Sequence, residues 1–239
     1  MEWRTIIKRD IPFASLEALQ EECLQQVSDR GDLGFFIAAE PHPTFTKGRF
    51  ADKSDLLFSE EALSQKGYSV AEVSRGGKWS YHGPGQVVIY PLFRLESLGY
   101  SRLSVKPYLI RLREGVSQFL TSRAVQHSFS NQPFGIYVSA GKVASFGIAV
   151  RGGKTSHGVA LYLEPQAVPF SHIVPCGVAG ERVSSLKTAG LIENWDNVAI
   201  SLIDFIKKGL IRRHRATRVM RFPQSESINE RSEQPPRKQ

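Results

Sequence analysis

At 239 residues, with 41% hydrophobic side chains, the chain can form one ordinary domain or two small ones around a real core. It holds no run of 18 apolar residues, which excludes a helical membrane span, and its first ten residues are mixed and charged, without a signal-peptide core. The net charge of +8 is uneven: residues 212–239 hold eight Lys/Arg against three Glu, so +5 lies there and +3 on the rest. That body is only mildly basic, suited to an acidic protein partner as well as to a phosphate backbone. Two cysteines, Cys23 and Cys176, are too few for a disulfide framework, and a reducing, cytoplasmic setting is expected.

In chain order, Leu16, Leu19, Cys23 and Val27 recur at helical spacing and predict a helix over about 15–29, with Ser15 as its cap and Cys23 on its apolar stripe. Gly34 to Ala39 reads as a buried strand, and Glu40 to Arg49 as a loop and turn with His42 exposed in it. Strands are expected at 69–74 and 87–93. Val105, Tyr108, Leu109, Leu112, Val116, Phe119 and Leu120 give the strongest helical pattern, capped by Ser104, with Pro107 harmless in the first turn. A short strand covers Gly135 to Ser139. A second amphipathic helix runs from about Asn194 to Lys208, with Val198, Leu202, Phe205 and Ile206 inward and Gly209 as its stop. Beyond Phe222 the composition predicts a disordered tail. Strands mixed with a few helices, without strict βαβ alternation, predict an α+β fold. The expected division is a catalytic domain over 1–211 and a basic tail over 212–239.

Between the strands at 69–74 and 87–93 lies Arg75-Gly76-Gly77-Lys78-Trp79-Ser80-Tyr81-His82-Gly83-Pro84-Gly85-Gln86, with four glycines and a proline in twelve residues. Glycine permits positive φ and close backbone approach, so this reads as a donor-rich loop that wraps something, or as a mobile hairpin loop. Farther on, Lys142–Val150 and Thr155–Leu163 flank Gly152-Gly153, a strong hairpin signal. With those two residues as the turn, Ala149 faces Ser156, Gly147 faces Gly158 and Ser145 faces Ala160, all small and all on one face. The opposite face carries Phe146, Ile148, Val150, Val159, Leu161 and Leu163. One face thus packs a core, and the other is nearly bare backbone, to be filled by a closely packed helix or by a ligand.

Cys176 sits in Pro175-Cys176-Gly177, bracketed by Pro and Gly and free of apolar periodicity, where a reactive thiol is plausible. The stretch Pro175 to Leu186 is similar to P-C-G-(I/V)-x-x-x-x-V-(T/S)-S-L, the Gly-rich stretch to R-G-G-x-x-T-x-H-G-P-G-Q, and Lys142-Val143-Ala144-Ser145-Phe146-Gly147 to K-(I/V)-A-(S/A)-(I/L/F)-G. Together these motifs resemble the lipoyl(octanoyl) transferases, in the superfamily that also holds the lipoate– and biotin–protein ligases. The match covers residues 34–186 in the family's order. Trp79 and Ser80 depart from it, as does His42, one place later than usual. The Trp79 indole either narrows an acyl pocket or faces away.

The resemblance implies the ligase-type catalytic fold, a mixed or antiparallel sheet with packed helices. It also implies an acyltransferase that takes octanoyl from acyl carrier protein to a lysine of lipoyl domains, those of the 2-oxoacid dehydrogenase E2 subunits and the glycine cleavage H protein. By the same resemblance Cys176 carries the acyl group as a thioester and Lys142 lowers its pKa and shuttles protons. Arg75, Gly76, Gly77, Lys78, Trp79, Ser80, Tyr81 and His82, with Ser145, Phe146, Gly147, Gly158, Val159 and Ala160, bind substrate. No cofactor or metal, nucleic acid or membrane is expected. The alternatives are an ATP-dependent lipoate–protein ligase and a binding module driven by the basic tail.

Overall fold

The computed structural model describes residues 1–28 and 30–211, and of Cys176 the backbone alone. The expected basic tail, 212–239, lies outside the described residues. The elements are β1 (Glu2–Ile11), α1 (Phe13–Gln26), β2 (Leu33–Pro41), β3 (Thr44–Lys47), α2 (Glu60–Gln65), β4 (Ser69–Glu72), β5 (Trp79–His82), β6 (Gln86–Leu92), α3 (Val105–Thr121), β7 (Ser128–Asn131), β8 (Phe134–Val138), β9 (Gly141–Arg151), β10 (Lys154–Tyr162), α4 (Ala167–Phe170) and α5 (Trp195–Ile211). The α+β expectation holds.

Seven strands form a mixed sheet in the order β1-β2-β6-β10-β9-β8-β7, and a small sheet runs β4-β3-β5. Only β1 and β2 pair in parallel within the large sheet. Both of its faces are covered, which is why β2 and β6 read as unbroken apolar runs. Phe36 and Ala38 of β2 and Val87 and Ile89 of β6 join one core, under α3 and α5. Phe35, Ile37 and Ala39, with Val88, Tyr90 and Leu92, join the other, under α1 and the small sheet.

Several boundaries differ from the sequence expectations. Residues 2–11 form an edge strand whose charges keep its open side in water. The stretch after Glu40 contains β3 rather than loop alone. α1 starts at Phe13 after Pro12, so Ser15 lies inside its first turn and caps nothing. Ser104 is the N-cap of α3 by position, but its hydroxyl makes no cap bond, and Val105 is exposed. Gly209 does not stop α5: it lies inside the helix, where a Cβ would come within 3.2 Å of Gly115 Cα of α3. Gly115 in turn has no room for a side chain, since a Cβ there would come within 2.7 Å of Ile206 Cα. The two glycines let α3 and α5 approach closely.

Candidate active site

The hairpin register is the one the Gly-Gly turn dictates: Ala149 opposite Ser156, Gly147 opposite Gly158, Ser145 opposite Ala160. Gly152 and Gly153 both take positive φ, 57° and 84°. Ile148, Val159 and Leu161 enter the core with α3 and α5, and Phe146, Val150 and Leu163 pack against it. The small-residue face looks the other way, and two elements cover it. At one end α1 approaches, with Gln20 Oε1 accepting from His157 N–H at 2.7 Å. At the other lies the Gly-rich loop, held by Gly76 N–H donating to Ile148 O at 2.9 Å. The helix reading of the bare face therefore holds at the Ser156 end, whereas at the Gly147 end the Gly-rich loop lies over it.

Between loop and hairpin is a cavity of about 50 Å³. Arg75, Gly76, Gly77, Lys78, Trp79, Ser80 and His82 line it from the loop side. Ser145, Phe146, Gly147, Gly158, Val159 and Ala160 line it from the hairpin. Of the expected contact residues in these two stretches, only Tyr81 lies elsewhere. Residues 79–82 form β5, whose side chains alternate. Tyr81 thus joins Trp79 in the core under the small sheet, its ring 5.3 Å from Phe45 and 6.0 Å from Phe170. Burial pushes its phenol above the ordinary range. The Trp79 indole donates to Asp52 O at 2.7 Å within that core, while Trp79 also borders the cavity.

Arg75 is buried and acts as a strut. Its guanidinium donates to Thr46 O at 2.8 Å, Thr46 Oγ1 at 2.7 Å and Lys78 O at 2.9 Å, while its stem lies on Gly147. Three further residues line the cavity that were not among the expected contact residues: Val88, Tyr90 and His157. His157 takes φ 56°, and its Nε2 is 3.0 Å from Ser74 Oγ. Desolvation, then the charges of Arg75 and Arg151, hold its pKa down at about 3. His82 is likewise held at about 3, by desolvation first and then Arg75, with its Nδ1 3.3 Å from Gln86 Oε1. Both rings are neutral near pH 7. Behind them Glu17 Oε1 is 3.7 Å from His157 Nδ1, and burial raises its carboxyl to about 7 against the opposing pull of Arg75.

Cys176 stands in a short 3₁₀ turn, Pro175–Gly177. Val174 N–H donates to Asp55 O at 2.7 Å and Leu57 N–H to His172 O at 3.0 Å, so the loop at 52–57 braces the approach to it. Gly177 takes φ 69° against the Lys78 side chain, where a Cβ would come within 2.6 Å of Lys78 Cε. The Lys78 ammonium is held by Asp55 at 2.9 Å. The Gly177 and Val178 amides are spent on the turn, donating to Val174 O and Pro175 O.

Lys142 is only 1% exposed, not the ordinary surface charge that a lysine at a strand start suggests. The segment after Cys176 is stitched to it: Lys142 N–H donates to Arg182 O, and Ser184 N–H to Lys142 O, both at 2.8 Å. Its ammonium pairs with Glu181 at 2.6 Å. The Cys176 side chain lies outside the described atoms, and with it the direct Lys142–Cys176 contact. Cys23, the other cysteine, is buried in the α1 core, where burial and Glu22 push its thiol pKa up.

The family model of the lipoyl protein ligase A/B catalytic domain matches residues 13–203. The chain belongs to that family. It is 34% identical over 174 residues to an octanoyltransferase of Alkaliphilus metalliredigens, covering 72% of this chain and 78% of that one. It is 31% identical over 170 residues to a mitochondrial octanoyltransferase of Arabidopsis thaliana, covering 71% of each. Among solved structures, its fold is similar to that of lipoate-protein ligase A bound with ATP, at TM-score 0.73 and 16% identity over 88% of this chain and 86% of that one. A bipartite lipoate protein ligase from Thermoplasma acidophilum gives TM-score 0.72 and 15% identity over 88% of this chain and 84% of that one. At such identity the likeness speaks for the fold alone.

Within this family fold, one expectation drawn from the hairpin fails. The bare face suggested that a side chain at Gly158 would point into the space taken by a packed helix or a ligand. A Cβ there would instead run into the Ile89 carbonyl of β6, with Pro91 Cδ at 2.8 Å. Gly158 is required by strand packing, whereas a Cβ at Gly147 would press on the flexible Arg75 stem, its Cδ at 2.7 Å, with Gly76 O at an ordinary 3.5 Å.

Proposed function

We propose that the chain is an acyltransferase that moves an octanoyl group from acyl carrier protein to a lysine of a lipoyl domain, through a thioester on Cys176. The observation that carries this reading is a junction of three segments. The Pro175–Gly177 turn lies against Lys78 of the Gly-rich loop, and the residues after it are hydrogen-bonded to Lys142, at the head of the strand that floors the cavity.

In the first step the Cys176 thiolate attacks the donor thioester carbonyl. The carbon–sulfur bond to phosphopantetheine breaks, and the leaving thiolate takes a proton from the Lys142 ammonium. In the second, the acceptor amine attacks the enzyme thioester and gives its proton to the now neutral Lys142, an amide forms, and Cys176 leaves as the thiolate. Thioester to thioester is near balance and thioester to amide runs downhill, so the sequence closes without ATP or a cofactor. The acyl chain lies in the cavity between the Gly-rich loop and the bare hairpin face. Each methylene buried there contributes about 0.8 kcal/mol. Since the Gly177 and Val178 amides are already bonded, the oxyanion donors come from elsewhere, and the Gly-rich loop is the adjacent source.

The acceptors are the lipoyl domains of E2 subunits and the glycine cleavage H protein, and a cytoplasmic setting suits both partners. Among the described residues no helix is long and apolar enough to cross a membrane. Intact mass after incubation with octanoyl-acyl carrier protein tests the reading. A single octanoyl adduct, lost on hydroxylamine treatment, supports it. Labelling by octanoate plus ATP, and none by the carrier protein, would establish the lipoate–protein ligase alternative instead.

A further inference from the structure

The geometry points to Glu181 as a positioning residue that acts through Lys142, with Tyr137 behind it, in a buried tyrosine–carboxylate–lysine relay leading to Cys176. This rests on the Cys176 transfer reading. Glu181 stands five residues beyond Cys176, at a position the P-C-G-(I/V)-x-x-x-x-V pattern leaves open. Its Oε2 accepts from Lys142 Nζ at 2.6 Å and its Oε1 from the Tyr137 hydroxyl at 2.7 Å. Both oxygens are thus engaged, and the side chains of the ion pair are 1% and 5% exposed.

Structural need does not account for this arrangement. Two backbone hydrogen bonds already join Lys142 to residues 182–184, and Gly141, at φ 142°, brings the strand's start against Arg182. Removing two charges from water is costly, and an apolar pair often holds such a junction as well or better. What the carboxylate does supply is a fixed direction for the ammonium. A lysine side chain has four rotatable stem bonds and three equivalent donors, and it points nowhere in particular unless held. Glu181 holds it from the same segment that carries Cys176, five residues farther along the chain. Tyr137, whose ring lies 5.3 Å from the ammonium, fixes the carboxylate in turn. The logic is that of a nucleophile whose base is oriented by a third group.

The test uses the full chain in a Cys23→Ser background, so that one thiol reports. Octanoyl loading of Cys176 from octanoyl-acyl carrier protein is timed by intact mass, and its alkylation by iodoacetamide is followed against pH. E181Q is expected to slow loading at least tenfold and to shift the alkylation midpoint, because the ammonium loses the group that aims it. The double variant K142A/E181Q should load no more slowly than K142A alone, since the carboxylate works only through the lysine. Equal slowing by E181Q in both backgrounds means a structural role and overturns the proposal. So does wild-type loading by E181Q while Cys176→Ser takes no label, an outcome that leaves the transfer reading standing. Loading that survives in Cys176→Ser overturns that reading itself. Should E181Q fail to fold, Tyr137→Phe carries the test: a shifted midpoint supports the relay, and wild-type behaviour in both assays overturns it.

Discussion

Two glycines that face each other across the hairpin should respond oppositely to the same added methyl group. In Gly158→Ala the Cβ points at β6, a central strand: it meets the Ile89 carbonyl, with Pro91 Cδ at 2.8 Å and Ile89 C at 3.1 Å. No side chain can rotate out of the way, so backbone must shift. Overpacking of this kind costs about 1–3 kcal/mol. At roughly 2–4 °C per kcal/mol for a domain of this size, Tm should fall by about 2–12 °C. In Gly147→Ala the neighbours are Arg75 Cδ at 2.7 Å and Gly76 O at 3.5 Å. The Arg75 stem can move while its guanidinium stays bonded to Thr46, so Tm should change little. The stem then moves into the cavity. Displacing two or three methylenes of the acyl chain costs about 2 kcal/mol, or roughly 30-fold in loading by octanoyl relative to butanoyl donors. Thermal melting and loading rates with both donors, measured on both variants, give the answer. A Gly158→Ala protein that melts with wild type refutes the close approach. An unchanged octanoyl-to-butanoyl ratio in Gly147→Ala refutes the cavity as the acyl site.

Cys176→Ser should abolish adduct formation while Cys23→Ser retains turnover, as intact mass will report; the reverse result would place the thioester on the wrong cysteine. Lys142→Ala should slow both loading and release to the acceptor by on the order of 10²–10⁴-fold in single-turnover assays, the usual effect of losing a general acid/base. Acid should destabilise the fold through His82 and His157, whose folded pKa values near 3 lie below the ordinary 6.5. Unfolding then binds protons, so their contribution is complete above pH 6.5 and is lost as pH falls towards 3, at up to about 1.4 kcal/mol per unit for each ring. His157→Gln should flatten that decline in urea unfolding between pH 6.5 and 5. Glu17, raised to about 7 from 4.5, acts in the opposite sense: it holds a proton in the fold that the unfolded chain releases, so it favours the fold at acid pH. Glu17→Gln should therefore steepen the acid decline.

What could be read from the sequence was what short-range chemistry decides. Gly152-Gly153 fixes the turn, and the turn fixes every pair from Arg151–Lys154 to Ser145–Ala160. The period of Tyr108, Leu112, Val116 and Phe119 sets the buried face of α3. Edge strand β1 was not legible, because a strand paired on one side only needs no apolar alternation, and its run of Thr, Lys, Arg and Asp resembles a charged terminus. Gly209 misled for a related reason. A glycine near the end of a helical pattern is a stop when nothing lies beside it, and only the position of Gly115 on another helix turns it into a contact.

The site divides along the same line. The alternation Trp79, Ser80, Tyr81, His82 would have sent Tyr81 away from the cavity, had the short strand been recognised among the glycines that surround it. His157 lies beside Gly158 in the hairpin, and its histidine–glycine–valine–alanine context was a signal in reach. Glu181 offered no such signal: in sequence it is one acidic residue in a solvent-like loop of Gly, Ala and Arg. It becomes a buried partner of Lys142 only because Arg182 and Ser184 bond to the backbone of that lysine and turn the side chain before them inward. Motifs name the residues that meet the substrate. The groups that hold those residues in place follow from which backbone segments the fold brings side by side, and for Lys142 that segment is the one that carries Cys176.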